Sequence, residues 1–251
     1  MSRRLFFPDD TREQRTITAV QPENLSTEGA RSLEVRWIVP GQLAAAVAGW
    51  FGRFPAETTA VEDAYLLDPH LPWLSVKVRG GRALEVKVYL GSPGLFEVAG
   101  RARGRVESCR SGPFPHGPPS QDSYGPTGWQ PVIKNRTLSR FSLAGGPARA
   151  RAPGLGQEPG CAVELAEVHM RGGTWWTLGF EATGPASTLR TELEAAAAQV
   201  FAEPPPEGVE LGIEDSTSYA QWLRRRRETQ GTLKPDDDPS ADIWSGLLNH
   251  P

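Results

Sequence analysis

Hydrophobic and polar residues alternate along several short stretches of the chain, and this alternation predicts β-strands. In residues 74–91, aliphatic side chains occupy one parity, whereas lysine, arginine and glutamate predominate at the other, on both sides of Gly80-Gly81-Arg82. Period-two alternation around a Gly-Gly turn predicts a β-hairpin with one apolar and one ionic face. Such an ionic face meets solvent in most antiparallel sheets, but it can line a cavity if other strands repeat the pattern.

The two-faced pattern recurs, so the chain predicts a sheet of roughly six or seven strands. The further predicted strands are Ser32–Val39, Glu62–Asp68, Phe96–Ser108, Val132–Leu143, Ala162–Met170 and Thr174–Thr183. On one of them, Arg101, Arg103 and Arg105 share a face with Glu107. Three arginines in one row repel each other unless water or an anion neutralises them, so this strand is either a solvated edge or part of an anion site.

Apolar residues at helical spacing predict three helices, at Gln42–Phe54, residues 186–202 and Thr217–Glu228. Pro185 suits the first position of the second helix, and Asp215 or Ser216 suits the N-cap of the third. The apolar faces of these helices would cover the apolar faces of the strands.

One domain is expected at residues 31–228, between a polar N-terminal tail at 1–30 and an acidic C-terminal tail at 229–251. Proline, glycine and serine concentrate in residues 110–130 and 144–160. This composition predicts two long loops, either lids or disordered insertions. The acidic tail also carries a short apolar cluster, which could dock on a partner or on the domain itself.

Composition excludes several classes of function. The 251-residue chain has a net charge of -3, so its bulk charge indicates neither nucleic-acid nor acidic-membrane binding. The longest apolar run is too short to span a bilayer, and the N-terminus lacks an apolar core of signal length. Two cysteines and four scattered histidines argue against a disulfide framework and the usual structural zinc sites. We therefore expect a cytoplasmic protein.

A sheet whose strands each have one ionic face predicts an α+β fold: a closed or nearly closed antiparallel β-barrel with helices packed outside. The ionic faces would then line a channel. Enclosed bases are costly unless they are paired, and a polyanion would pair them, because arginine binds phosphate oxygens in a bidentate manner. A few carboxylates at one side could hold Mg²⁺ or Mn²⁺.

Several short motifs occur in the order of the predicted strands. They are Ser32-x-Glu34-x-Arg36, Lys77-x-Arg79, Lys87, Arg105-x-Glu107, Lys134-x-Arg136, Glu181-x-Thr183 and Ser218-Tyr219. This ordered set resembles the CYTH family, whose triphosphate tunnel fold includes thiamine triphosphatases, inorganic triphosphatases and some adenylate cyclases. The resemblance extends over roughly residues 31–225 and implies the same tunnel fold.

The chain departs from the family pattern in its acidic residues. Ser32 and Thr183 stand where the family has glutamates, and Ala166 stands where it often has aspartate. The basic, phosphate-binding half is complete, whereas the acidic half is reduced to Glu34, Glu164, Glu181 and Glu107. Activation of water by two metals needs several carboxylates at each site, so anion binding is better supported than hydrolysis.

The resemblance implies a phosphohydrolase that binds a triphosphate or a phosphorylated organic ligand and hydrolyses a phosphoanhydride bond with metal assistance. The implied catalytic residues are Glu34, Arg36, Arg79 and Lys87. The implied ligand-binding residues are Lys77, Glu85, Arg103, Arg105, Glu107, Lys134 and Arg136. The implied ligands of Mg²⁺ or Mn²⁺ are Glu34, Glu164 and Glu181. Two alternatives stay open: a non-catalytic phosphate- or polyanion-binding module, and a tunnel enzyme repurposed for another organic substrate.

Overall fold

The computed structural model describes residues 30–68, 70–81, 83–113, 128–143, 149–151 and 159–230. The predicted tails lie outside this part of the chain except at residues 30, 229 and 230, and most of the two predicted loops lies outside it as well. None of the helices in the described ranges is long and apolar enough to cross a membrane.

Nine strands and three helices occupy the described residues. The strands are β1 (Ala30–Pro40), β2 (Glu57–Leu66), β3 (Leu74–Arg79), β4 (Ala83–Val98), β5 (Ala102–Pro113), β6 (Trp129–Ser142), β7 (Arg149–Arg151), β8 (Gly160–Met170) and β9 (Gly173–Thr183). The helices are α1 (Ala45–Phe51), α2 (Leu189–Val200) and α3 (Tyr219–Gln230).

Eight of the strands close into an antiparallel barrel. Their order is β2-β3-β4-β5-β1-β9-β8-β6, and β6 pairs in turn with β2 from Glu57↔Leu138 to Leu66↔Trp129. The short β7 adds to β6 beyond the end of β2. Because successive side chains point to opposite faces of a strand, each strand contributes one row to the interior and one to the exterior. The predicted α+β barrel with helices outside is confirmed.

Helix α2 covers part of the apolar outer face of the barrel. Trp37 and Phe180, on β1 and β9, are fully buried in the cluster that contains Leu193 of α2 and Phe201, which follows that helix. Helix α3 packs differently: Leu223 lies in a second cluster with Tyr65 and Val132, which share the inward parity of the cavity-lining residues. Burial of a large apolar side chain contributes roughly 1.5–3 kcal/mol each, so these clusters hold the helices on the barrel.

Residues 211–217 fill a gap in the barrel wall. β5 pairs with β1 only from Ala30↔Ser111 to Glu34↔Glu107, and beyond that point the two strands separate. Arg103 N there donates to Leu211 O, Arg105 N donates to Ser216 Oγ, and Ile38 N donates to Asp215 O. This segment leads directly into α3 and brings its first residues to the barrel interior.

The predicted strand Phe96–Ser108 is in fact two strands. β4 ends at Val98, a turn follows, and β5 begins at Ala102. Gly100 has φ +66°, a left-handed conformation that suits glycine and closes the hairpin. The alternation continues in phase through this turn, so the pattern of residues alone could not show it.

Three details of the helices also differ from the prediction. α2 begins at Leu189 with Thr188 as its N-cap, so Pro185 is not its first residue. α1 is shorter than Gln42–Phe54, beginning at Ala45 and ending at Phe51. Neither Asp215 nor Ser216 caps α3, because both continue the pairing with β1; Ser218 Oγ instead accepts a hydrogen bond of 3.4 Å from Gln221 N.

Candidate functional site

The inner faces of the barrel enclose a cavity of about 750 Å³ with a strongly ionic lining. Its cations are Arg36, Lys77, Arg79, Lys87, Arg105, Lys134, Arg136, Arg140 and Arg224, and its carboxylates are Glu34, Asp63, Glu85, Glu107, Glu164 and Glu181. Nine cations face six carboxylates, so the described lining carries a net charge of about +3 when all are ionised.

Glu164 of β8 is held by two arginines from different strands. Arg36 Nη1 lies 3.0 Å from its Oε1, and Arg136 Nη1 lies 3.5 Å from its Oε2. Burial would raise the pKa of Glu164, but Arg36, Lys134 and Arg136 outweigh this effect and lower it to about 2. The same carboxylate raises the pKa of Arg36 against the opposing effect of burial. Glu164 is therefore ionised throughout the physiological range.

Gly179 makes the contact between Arg36 and Glu164 possible. It is the register partner of Arg36 on one side and of Glu164 on the other. A Cβ atom at Gly179 would lie 2.5 Å from Cζ of Arg36. The guanidinium therefore crosses β9 through the space that a larger residue would fill.

Asp63 of β2 gathers three cations. Its carboxylate lies 2.9 Å from Lys134 Nζ, 3.9 Å from Lys77 Nζ and 3.7 Å from Arg79 Nε. Asp63 and Lys134 are almost completely buried, at 1% and 3% exposure. Burial would raise the pKa of Asp63, but Lys134 and Lys77 lower it overall.

Two tyrosines complete the surroundings of the Lys134 ammonium. It donates a hydrogen bond of 2.8 Å to the hydroxyl of Tyr65, and it lies 3.7 Å from the ring centroid of Tyr219. Arg36 also contacts the ring of Tyr219, at 4.6 Å from its centroid. Tyr219 of α3 thus forms cation–π contacts with two bases of the cavity lining.

Glu85 shares two of these cations at another part of the wall. It lies 2.9 Å from Lys77 Nζ and 3.1 Å from Arg79 Nη1. Lys77 and Arg79 therefore each lie between two carboxylates, Asp63 and Glu85. Glu85 is more exposed than Asp63, at 41% of its side chain, so its pairs are screened more strongly by water.

Three glutamates form a row across neighbouring strands. Glu34 of β1 is the register partner of both Glu107 on β5 and Glu181 on β9. The Lys87 ammonium lies between two of them, 2.7 Å from Glu34 Oε1 and 2.9 Å from Glu181 Oε1. Burial would lower the pKa of Lys87, but Glu181 and Glu34 outweigh it and raise the pKa. Lys87 is therefore a permanent cation at this position.

Glu107 has a different environment from its two neighbours. Burial, and then the proximity of Glu34, raise its pKa to about 7, although hydrogen bonds from Ser218 offset part of the rise. Glu34 meanwhile accepts a hydrogen bond of 2.6 Å from Ser32 Oγ. The row thus combines two carboxylates bridged by Lys87 with a third whose pKa is raised.

The residues named as ligands of Mg²⁺ or Mn²⁺ do not fit a divalent cation as they lie. Glu164 contacts two arginines, whereas Glu34 and Glu181 contact Lys87. Among the described residues, no group of three or more acidic, histidine or cysteine side chains could hold a metal ion.

The structure brings together almost all the residues named from the sequence. Those that line the cavity are Glu34, Arg36, Lys77, Arg79, Glu85, Lys87, Arg105, Glu107, Lys134, Arg136, Glu164 and Glu181. Arg103 does not line it, and its side chain is exposed to solvent. Arg101 lies in the turn between these strands.

Sequence reasoning missed several residues of the cavity, above all Asp63, Tyr65, Gly179 and Arg224. Asp63 and Tyr65 share one parity of a strand that was predicted correctly in part, and that polar parity was the available signal. Gly179 gives no signal, because its role depends on which residues lie beside it in the neighbouring strands.

Comparison with known proteins finds likeness only at the level of structure. No protein-family model and no curated protein sequence matches the chain. The S. pombe Pct1 RNA triphosphatase, solved with the Spt5 CTD, is 10% identical, with a TM-score of 0.40 over 80% of this chain and 81% of that one. The mimivirus capping enzyme triphosphatase is 11% identical, with a TM-score of 0.40 over 71% and 93%.

A third solved structure is a putative adenylyl cyclase from Hippeastrum, described as having a dominant triphosphatase activity. It is 10% identical, with a TM-score of 0.37 over 82% of this chain and 98% of that chain. Scores this low carry no argument about activity. The closed strand pairing shows the fold directly: an eight-stranded antiparallel barrel with an ionic interior, as the alternation along the sequence predicted.

Proposed function

We propose that the tunnel binds a triphosphate or a similar phosphorylated small molecule. The observation that carries the proposal is the enclosed cavity with nine cations and six carboxylates in its lining. Its volume of about 750 Å³ lies within the usual range for small-ligand sites. In a cavity of low dielectric, an excess of positive charge favours a polyanion more strongly than it would in water.

The individual cations suit phosphate oxygens. Arginine provides a planar fork of donors for bidentate contact with phosphate, and five arginines of the lining come from β-strands: Arg36, Arg79, Arg105, Arg136 and Arg140. Arg79 Nε is buried and forms an ion pair with Asp63 Oδ1 at 3.7 Å, which is too long for a hydrogen bond, so neither atom has a hydrogen-bond partner among the described residues. A phosphate oxygen would satisfy this donor, and buried donors rarely stay unpaired.

Binding without turnover is favoured over hydrolysis by the position of Lys87. Hydrolysis of a phosphoanhydride bond with metal assistance requires carboxylates that converge on the metal, which would orient water and offset charge on the phosphoryl group. Here Lys87 bridges Glu34 and Glu181, and Glu164 is paired with arginines. The proposed protein is therefore a phosphate-binding module on a tunnel fold, with metal-assisted hydrolysis as the second candidate.

Isothermal titration calorimetry with tripolyphosphate in EDTA tests the proposed binding. We expect Arg136→Ala to weaken binding by roughly tenfold to a hundredfold, because a hydrogen bond to a charged group contributes about 1.5–3 kcal/mol. The matched control is Arg190→Ala, which removes an arginine from the exposed face of α2 outside the cavity. Equal affinities for the wild type and Arg136→Ala, or no binding by the wild type, would refute the proposal.

A phosphate-release assay separates the two candidates. Tripolyphosphate, nucleoside triphosphates and thiamine triphosphate are incubated with Mg²⁺ or Mn²⁺, and the double variant Glu34→Ala/Glu181→Ala serves as the background. Binding without release above this background supports the module. Release by the wild type alone supports hydrolysis.

A further inference from the structure

Three carboxylates lie side by side on the inner wall, and this arrangement requires a nearby cation. Glu107, Glu34 and Glu181 are register partners on adjacent strands. Side chains directly opposite in an antiparallel pair have Cβ atoms about 4.5–5.5 Å apart, and like charges there are destabilising. A divalent ion is the usual solution when acidic oxygens are gathered in this way.

The chain supplies its own cation instead. Lys87 extends from β4, across β5, and its ammonium contacts Glu34 and Glu181 at 2.7 and 2.9 Å. Both distances are those of charge-assisted hydrogen bonds. Glu34 Oε1 also accepts the bond from Ser32, so this oxygen already has two donors.

The atoms around Lys87 would serve a divalent ion poorly. Mg²⁺ requires near-octahedral oxygen ligands at about 2.0–2.1 Å and gives up its water reluctantly. Beyond Glu34 and Glu181, the next register pair is Ser32 and Thr183, whose hydroxyls carry no charge. A metal would also have to displace the ammonium into a lining that already has an excess of cations.

We infer that Lys87 takes the place of a divalent cation in this tunnel. The free protein therefore does not take up Mg²⁺ or Mn²⁺ there, and the ligand that it binds is the metal-free polyanion rather than its metal complex. The statement about the ligand rests on the proposed function, whereas the statement about the free protein does not.

Titration of the ligand-free protein with Mn²⁺, followed by electron paramagnetic resonance, tests the first statement. The wild type should show no bound Mn²⁺ in the tunnel. Lys87→Ala should bind Mn²⁺ at least roughly tenfold more tightly than the wild type, because two carboxylates lose their bridging cation. The double variant Lys87→Ala/Glu181→Gln is the matched control and should lose this gain.

Two results would overturn the inference. One is Mn²⁺ binding by the wild type that Glu181→Gln abolishes. The other is no gain by Lys87→Ala and by Lys87→Gln when circular dichroism shows both to be folded. The first result needs no substitution of Lys87, so a folding defect in either Lys87 variant leaves the inference open to refutation.

Calorimetry with tripolyphosphate tests the second statement. Wild-type affinity should be higher in EDTA than in excess Mg²⁺, since Mg²⁺ sequesters the metal-free ligand. An affinity that rises with Mg²⁺ would overturn the statement. No binding in either buffer would refute the proposed function, while the Mn²⁺ result on the free protein would stand by itself.

Discussion

Asp63 joins three strands of the tunnel through its contacts with Lys77, Arg79 and Lys134. Lys134 and Asp63 are the most deeply buried ion pair of the lining. A buried pair contributes little net stability, because desolvation offsets its attraction, but removal of one partner is costly. Asp63 therefore holds the basic groups of the site in position.

Asp63→Asn should lower the free energy of unfolding by about 3–5 kcal/mol, because it leaves the Lys134 ammonium buried without a counter-charge. Urea denaturation at pH 7 measures this change. The control Glu194→Gln removes the exposed pair with Arg190 on α2 and should cost less than about 0.5 kcal/mol. A similar cost for both variants would show that Asp63 is not the required partner.

Glu107 should make the protein less stable as the pH rises towards neutrality. Its pKa is raised from 4.5 to about 7 in the folded chain, so the folded state holds the proton more tightly than the unfolded state. Its contribution is therefore fully present below pH 4.5, declines between 4.5 and 7, and is constant above that range. The decline amounts to about 3 kcal/mol, because a shift of one pKa unit corresponds to about 1.4 kcal/mol.

Glu107→Gln isolates this contribution from other titrating groups. The difference in unfolding free energy, variant minus wild type, should increase by up to about 3 kcal/mol between pH 5 and pH 8. Urea denaturation at several pH values gives this difference. A difference that does not change with pH would mean that Glu107 titrates at its ordinary pKa.

Two glycines on different strands illustrate the two faces of the sheet, one lining the cavity and the other packing in the core. Gly179 of β9 faces inward and leaves room for Arg36. Gly104 of β5 faces outward, and a Cβ there would lie 2.6 Å from Val35 and 2.8 Å from Trp37. Gly179 therefore affects the site, whereas Gly104 affects the packing of the outer core.

The variants Gly179→Ala and Gly104→Ala should differ in their effect on affinity. Gly179→Ala displaces the guanidinium of Arg36 from Glu164, so it should weaken tripolyphosphate binding by roughly tenfold and also cost stability through the lost ion pair. Gly104→Ala overpacks the outer core, so it should cost about 1–3 kcal/mol of stability and leave affinity unchanged. Denaturation and calorimetry on both proteins give the comparison, and the reverse assignment would contradict it.

Element boundaries were predictable where turn residues interrupt the alternation of side chains. The hairpin of β8 and β9 was placed almost completely, because Gly172 and Gly173 break its pattern. The turn at Gly100 was missed, since the same parity continues on both sides of it. Arg103 was assigned to the site because it shares the parity of Arg105, although its side chain is exposed and does not line the cavity.

The net charge of the whole chain differs in sign from the charge of its interior. The chain has a net charge of -3, whereas the described lining of its cavity carries about +3. Parity along the strands predicted this separation and most of the lining residues. It could not predict which carboxylate pairs with which base, because those contacts depend on strand register: Lys87 lies between Glu34 and Glu181 only because β5, β1 and β9 are neighbours.

A crystal structure of the protein soaked with tripolyphosphate in EDTA tests the central claim most directly. The claim predicts density for the phosphates inside the barrel, with oxygens at hydrogen-bond distance, about 2.7–3.2 Å, from Arg36, Arg79 or Arg136. Phosphates found only on the outer surface, for example at the exposed Arg225 and Arg227 of α3, or an empty cavity at saturating ligand, would contradict it.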